Sequence, residues 1–223
     1  MIAEEIHRIT QALPAGVRLV AVSKYHPAEA IREAYAAGQR VFGESHAQEL
    51  QAKHTGLSDL EGLEWHFIGH LQTNKVKYIA PYVHLVHAVD SHRLLAEIDK
   101  QAKKVGRVIP CLLQLHVAEE ETKFGFTPDE ARDYLEAGAW RQLSGVRIAG
   151  VMCMATNTDD TARIRSDFRR ARCFFEEARR DFFPADDHFR ELSMGMTDDW
   201  HIAIDEGSTL IRIGTQIFGQ RQY

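Results

Sequence analysis

VRLVAVSKYHP, residues 17–27, sets the frame of the chain. Its first seven residues are almost all apolar and alternate little, the pattern of a strand buried on both faces. Ser23 and Lys24 end the run, and Pro27 opens a helical segment, PAEAIREAYAAG, that stops at Gly38. One strand followed by one helix is the repeating unit of α/β folds. Seven further apolar runs continue the pattern: RVFG from Arg40, EWHFIG from Glu64, VHLVHAVD from Val83, PCLLQLHV from Pro110, VRIAGVMCM from Val146, FRELSMG from Phe189 and TLIRIG from Thr209.

Helices with readable ends separate these runs. SHRLLAEIDKQAKKVG has Ser91 as its cap and Gly106 as its terminator. TPDEARDYLEAG opens on Thr127, Pro128 and two acids, which suit the positive end of a helix dipole. In DTARIRSDFRRARCFFEEARRDFF, Ile164, Phe168, Ala171, Phe174 and Phe175 recur at helical spacing and read as core. Eight strand–helix units predict a TIM-type (β/α)8 barrel, one domain over residues 1–223, with an extra N-terminal helix in MIAEEIHRITQAL. An open doubly wound sheet is the competing architecture, and the count of eight favours closure.

Composition narrows the class. Of 223 residues, 44% are hydrophobic and 26% charged, as in ordinary globular proteins. The net charge of -5 comes without a basic block, which argues against nucleic acid and anionic membranes. Cys111, Cys153 and Cys173 show no CxxC spacing and read as reduced thiols. The first helix carries early acids, unlike a signal peptide, and no apolar run is long enough for a bilayer. A soluble cytoplasmic protein is expected.

In such barrels the chemistry sits at the C-terminal ends of the strands. The unusual residues fall there: Lys24 after the first strand, Gly43, Glu44 and Ser45 after the second, Gly69, His70 and Asn74 after the third, Asp90 after the fourth, Ser193, Gly195 and Met196 after the seventh, Gly214 and Thr215 after the eighth. The last two loops suit a phosphate. Thr197 and Asp198 open the helical DDWHIAIDEG, with Asp198 and Asp199 read as its first turn, and small residues let backbone N–H groups converge on an anion, with Ser193 and Thr215 adding hydroxyls. Taken alone, these are also two glycine turns. In TLIRIGT, Leu210, Arg212 and Gly214 share one face and Ile211 and Ile213 the other. With the isoleucines under the helices, Arg212 points into the barrel mouth, where its charge needs either a carboxylate or a bound anionic or aromatic cofactor. Lys24 by itself is more often a solvated strand end. Beside a phosphate site and an inward arginine it is also the amine that pyridoxal phosphate needs for a Schiff base.

The segments VRLVAVSKYHP, RVFGESHAQEL, WHFIGHLQTNK, ETKFGF, GVMCMAT and LSMGMTDDWHIAIDEGSTLIRIGTQIFG resemble, in order, those of the pyridoxal phosphate homeostasis protein family, over nearly the whole chain. The resemblance implies a single-domain barrel similar to the N-terminal domain of bacterial alanine racemase. It also implies a carrier and regulator of pyridoxal 5'-phosphate without an established reaction. By position it makes Lys24 the Schiff-base lysine, places Ser193, Gly195, Gly214 and Thr215 in the segments that hold the phosphate, and sets Arg212 near the pyridine ring. Gly43-Glu44-Ser45-His46 departs from the common GEN-Y, so Ser45 is a cofactor-binding candidate with a shorter reach than asparagine. His70 replaces a common proline and reads as a surface substitution.

An arginine facing the pyridine nitrogen keeps it unprotonated, since guanidinium only donates. A racemase further needs proton donors and acceptors on both faces of the substrate carbon. In the related racemase the second base comes with an additional domain and a partner subunit, for which the chain to Tyr223 leaves no room. The expected role is therefore storage, buffering or delivery of the cofactor, with pyridoxal-phosphate-dependent apo-enzymes as partners and a monomer as the default state. The alternative is an amino-acid racemase or lyase of the alanine racemase type. The histidine pairs His66/His70 and His84/His87 have metal-like spacing only on a helix, and both lie in strands, so no metal is expected. Glu119, Glu120 and Glu121 read as a solvated loop, and Lys75 and Lys77 as exposed flanks of a helix start.

Overall fold

A computed structural model describes residues 1–118 and 124–220; Glu119, Glu120 and Glu121 lie outside them. All eight expected runs are strands: β1 (Arg18–Val22), β2 (Val41–Glu44), β3 (Glu64–Phe67), β4 (Leu85–Val89), β5 (Ile109–Leu115), β6 (Val146–Cys153), β7 (Glu191–Ser193) and β8 (Leu210–Ile213). They pair in parallel in chain order, and β8 returns to β1 to close a barrel. The helices are α1 (Ile2–Ala12), α2 (Ala28–Ala36), α3 (Ala47–Gly56), α4 (Val76–Ile79), α5 (His92–Lys104), α6 (Pro128–Ala137), α7 (Thr161–Phe182), α8 (Trp200–Asp205) and α9 (Thr215–Phe218). Among the described residues none is long and apolar enough to cross a membrane.

Local signals account for the helix ends. Ser91 Oγ accepts the Leu94 N–H, capping α5. Thr127 and Glu130 form a reciprocal capping box on α6, and Gly138 ends it in the left-handed conformation. Asp198 and Asp199 precede α8 rather than forming its first turn: Asp199 is its N-cap. Its carboxylate turns back to accept the Met196 N–H at 2.5 Å, which fixes the β7–α8 loop.

The apolar residues form two layers. A large core fills the space between strands and helices and includes Ala21, Phe42, Phe67, Ile211 and Ile213. A smaller one inside the barrel contains Val20, Leu85, Leu112, Ala149, Met152 and Leu210. Strand alternation sorts the two: Ile211 and Ile213 face the helices, whereas Leu210 and Arg212 face inward. A polar file, comprising His66, His87, Ser193 and Arg212, shares the barrel interior, each member at most 5% exposed.

Candidate functional site

The Lys24 loop is built on strain and buried charge. Beyond β1, the His26 N–H donates to the Ser23 carbonyl at 3.0 Å, and Tyr25 takes φ 65°, left-handed for a residue that is not glycine. That conformation costs about 1 kcal/mol or more and needs outside support. Support comes from α3. Lys53 Nζ donates to the Ser23 carbonyl (2.7 Å), to Glu44 Oε1 (2.8 Å) and to Glu49 Oε1 (2.7 Å), while the Tyr25 N–H donates to Glu49 Oε1 (2.6 Å). Ser23 Oγ donates to Glu44 Oε1 at 2.6 Å. Glu44 is fully buried, and burial pushes its carboxyl up to about 7 against the pull of the Lys53 ammonium. Its Oε2 has no hydrogen-bond partner among the described residues.

Lys24 opens into a cavity of about 260 Å³ at the C-terminal mouth of the barrel, walled also by Met196, Thr197, Arg212, Gly214 and Thr215. Arg212 reaches it from β8. Its Nη1 donates to Ser193 Oγ at 2.6 Å and its Nη2 to the Cys153 carbonyl at 2.9 Å. Among the described residues no carboxylate lies within ion-pair distance of the guanidinium, and burial lowers its proton affinity from the ordinary arginine range. Both side-chain hydrogen bonds of the guanidinium go to neutral acceptors, and Asp199 acts on it only from beyond ion-pair distance, so a buried cation facing a cavity is suited to an acceptor-rich ligand. Backbone approach is provided by glycine. At Gly195, φ is 96° and a Cβ would lie 2.6 Å from Ala203 Cβ; at Gly214 a Cβ would lie 3.1 Å from the Val22 carbonyl.

Four of the expected residues, Lys24, Arg212, Gly214 and Thr215, wall this one cavity. Gly195 shapes the turn beside it, its carbonyl accepting the Arg212 N–H at 2.9 Å. Ser193 is placed differently. It is fully buried, and its Oγ accepts from Arg212 and contacts His87 Nδ1 at 2.9 Å, so it positions the guanidinium from below. Ser45 lines a neighbouring cavity of about 360 Å³ with His46, Gly69 and His70. His70 is exposed, as a surface substitution should be, with Nδ1 3.1 Å from Asp90 Oδ2 and its ring stacked on Phe124 at 4.4 Å.

Thr197, expected in the loop after the SMGM turn, also walls the cavity. Sequence reasoning missed the roles of Lys53, Glu49 and His87. His87 could not be placed by alternation, because β4 slips register against β5 between Val86 and Val89. His84 also leaves the metal pattern, its Nδ1 accepting the Trp65 N–H at 3.1 Å. Among the described residues no group of three or more His, Cys, Asp or Glu is arranged around a metal position.

Comparison with known proteins bears on this geometry. The family described as alanine racemase, N-terminal domain, matches residues 1–222. A pyridoxal phosphate homeostasis protein from Aquifex aeolicus is 41% identical over 92% of this chain and 88% of its own. The chain belongs to the pyridoxal phosphate homeostasis protein family. A solved structure of similar fold is PipY of Synechococcus elongatus, 42% identical without pyridoxal phosphate (TM-score 0.92) and 41% identical with it bound (TM-score 0.89). Each PipY comparison covers 98% of this chain and 100% of PipY. Alanine racemase from Enterococcus faecalis, at 16% identity and TM-score 0.73, shares the fold over 57% of its length. The homeostasis family thus uses the racemase-type barrel, and in this chain the cavity at its C-terminal mouth carries the lysine, the arginine and the two glycine turns.

Proposed function

We propose that this protein binds pyridoxal 5'-phosphate in the Lys24–Arg212 cavity and takes part in intracellular homeostasis of that cofactor by storing, buffering or delivering it. The observation that carries the reading is the Arg212 guanidinium, buried, with no acid among the described residues within ion-pair distance, on the wall of the cavity that Lys24 enters. Two other findings support it: membership of a family so named, and the PipY structure with pyridoxal phosphate bound.

The residues fit the cofactor's three handles. Lys24 Nζ would supply the amine with which the aldehyde can form a Schiff base, releasing water. Gly214 and Thr215 on one side, and Thr197 on the other, offer backbone N–H groups and hydroxyls to the phosphate. α8 and α9 are only six and four residues long, so these local donors matter more than a helix dipole. Arg212 would face the pyridine ring, and as an obligate donor it would leave a ring nitrogen that it meets unprotonated. Bound in this way, the cofactor supplies a reversible aldehyde and is a poor electron sink, which suits holding and handing over to apo-enzymes better than racemisation.

The test is one set of absorbance spectra. Purified protein mixed with pyridoxal phosphate should develop an imine band that borohydride reduces and traps, and Lys24→Ala should show neither. A reducible imine in Lys24→Ala of unchanged size sinks the lysine assignment. Solvent deuterium entering the α-carbon of amino acids, and lost in Lys24→Ala, would instead establish the racemase or lyase reading.

A further inference from the structure

The polar file inside the barrel has two ends. At the upper end, Arg212 Nη1 donates to Ser193 Oγ (2.6 Å). Below it, Ser193 Oγ lies 2.9 Å from His87 Nδ1, and His87 Nε2 lies 2.9 Å from His66 Nδ1. Donor order follows from the first link. Guanidinium can only donate, so the Ser193 oxygen accepts, and among the described residues His87 Nδ1 is the acceptor within reach of the buried hydroxyl proton, which fixes that bond as Ser193 to His87. His87 then carries its proton on Nε2 and donates to His66 Nδ1, which leaves the His66 proton on Nε2. Burial holds both imidazoles neutral, His66 down to about 3. The file is a one-way run of donors that ends at His66 Nε2–H.

That last donor has no acceptor within reach: Glu64 Oε2 is 3.9 Å away. His66 instead roofs a second cavity, of about 200 Å³, at the opposite mouth of the barrel, where the strands begin. Arg18, Arg147, Arg190, Glu64 and Glu191 converge there. Glu191 is taken by Arg18 at 2.7 Å and sits 3.5 Å from Arg190. Arg147, partly buried, makes no hydrogen bond or ion pair among the described residues. Three guanidiniums face two carboxylates, and the His66 N–H opens onto the same cavity without a hydrogen bond to another described residue.

We propose that the N-terminal mouth of the barrel is a second binding site, for a small oxyanion held by Arg147, Arg190 and the His66 N–H, and linked to Arg212 through His87 and Ser193. The site stands on its own; the linkage rests on the cofactor reading above. An anion accepting from His66 completes the donor run and polarises every bond in it, up to the guanidinium. The two mouths then influence each other reciprocally.

Inorganic phosphate is the probe, with succinate to separate a tetrahedral oxyanion from a carboxylate. In the cofactor-free full-length protein with ¹⁵N-labelled histidines, phosphate should shift the His66 signals saturably. The apparent Kd should rise about tenfold or more in Arg147→Ala/Arg190→Ala, of which Arg147 is partly buried and Arg190 exposed. No saturable shift, an equal shift with chloride at matched ionic strength, or an unchanged Kd in the double variant overturns the site. In cofactor-loaded protein, where the upper phosphate position is filled, the same titration should move the absorbance band, and it should not do so in His66→Phe with an unchanged melting temperature. An unmoved band in the native loaded protein overturns the linkage and leaves the binding result to decide the site. Failure to load cofactor at all instead overturns the proposed function and does not touch the histidine titration.

Discussion

Lys24 is held by groups that never meet the cavity. Lys53 ties the carbonyl before it to Glu44 and Glu49, and the Tyr25 N–H is tied to Glu49. Lys53→Met removes the cation and leaves Glu44 buried. The expected loss is about 3 kcal/mol, read by urea unfolding. Cofactor affinity should fall with it, because Tyr25 loses the frame that pays for its left-handed backbone. Adding Glu44→Gln should recover part of the loss. Arg212→Ala should cost a similar amount, since it strips a donor from the buried Ser193 oxygen and the Cys153 carbonyl. The inward course of Arg212 was legible from the alternation in TLIRIGT. The Lys24 brace was not: Lys53 stands 30 positions from Ser23 and looks like any helical lysine until the barrel closes.

At the scale of elements, the eight apolar runs were legible because each is short, β-branched or aromatic, and bounded by a capped helix or a glycine. The segment AQELQAKHTG was harder. It forms α3, yet it buries Ala47, Leu50 and the charged Lys53, so no clear apolar stripe marks it. The turn from β7 to α8 makes a sharp prediction. Gly195→Ala would force a side chain into φ 96° with its Cβ 2.6 Å from Ala203 Cβ and 3.0 Å from Trp200 Cα. A loss of about 2–4 kcal/mol is expected by thermal unfolding. Gly214→Ala has an ordinary φ and presses only on Val22, so it should cost less in stability while still narrowing the cavity.

For the whole molecule, Glu44 sets a pH dependence. Its folded value of about 7 lies above the ordinary 4.5, so the folded protein keeps a proton that the unfolded chain has released between those values. Its contribution is fully present below about pH 4.5 and is lost as pH rises through about 7. Measured by urea unfolding at pH 5 and pH 8, the native protein should lose up to about 3 kcal/mol relative to Glu44→Gln. Closure of the barrel has a further consequence. β5 and β6 pair from Ile109↔Val146 to Leu115↔Cys153, whereas β7 and β8 meet in register only at Ser193↔Leu210. The narrowest seam of the cylinder therefore runs between the two loops that flank the cavity, Gly195 to Thr197 on one bank and Gly214 to Thr215 on the other. A guest gripped from both banks rivets that seam. Hydrogen exchange at the Thr209 and Met194 amides, which cross it, should slow on loading and quicken on release. An emptied barrel would thus differ from a filled one in the tightness of its own stitching, a difference that a recipient enzyme could feel without touching the cargo.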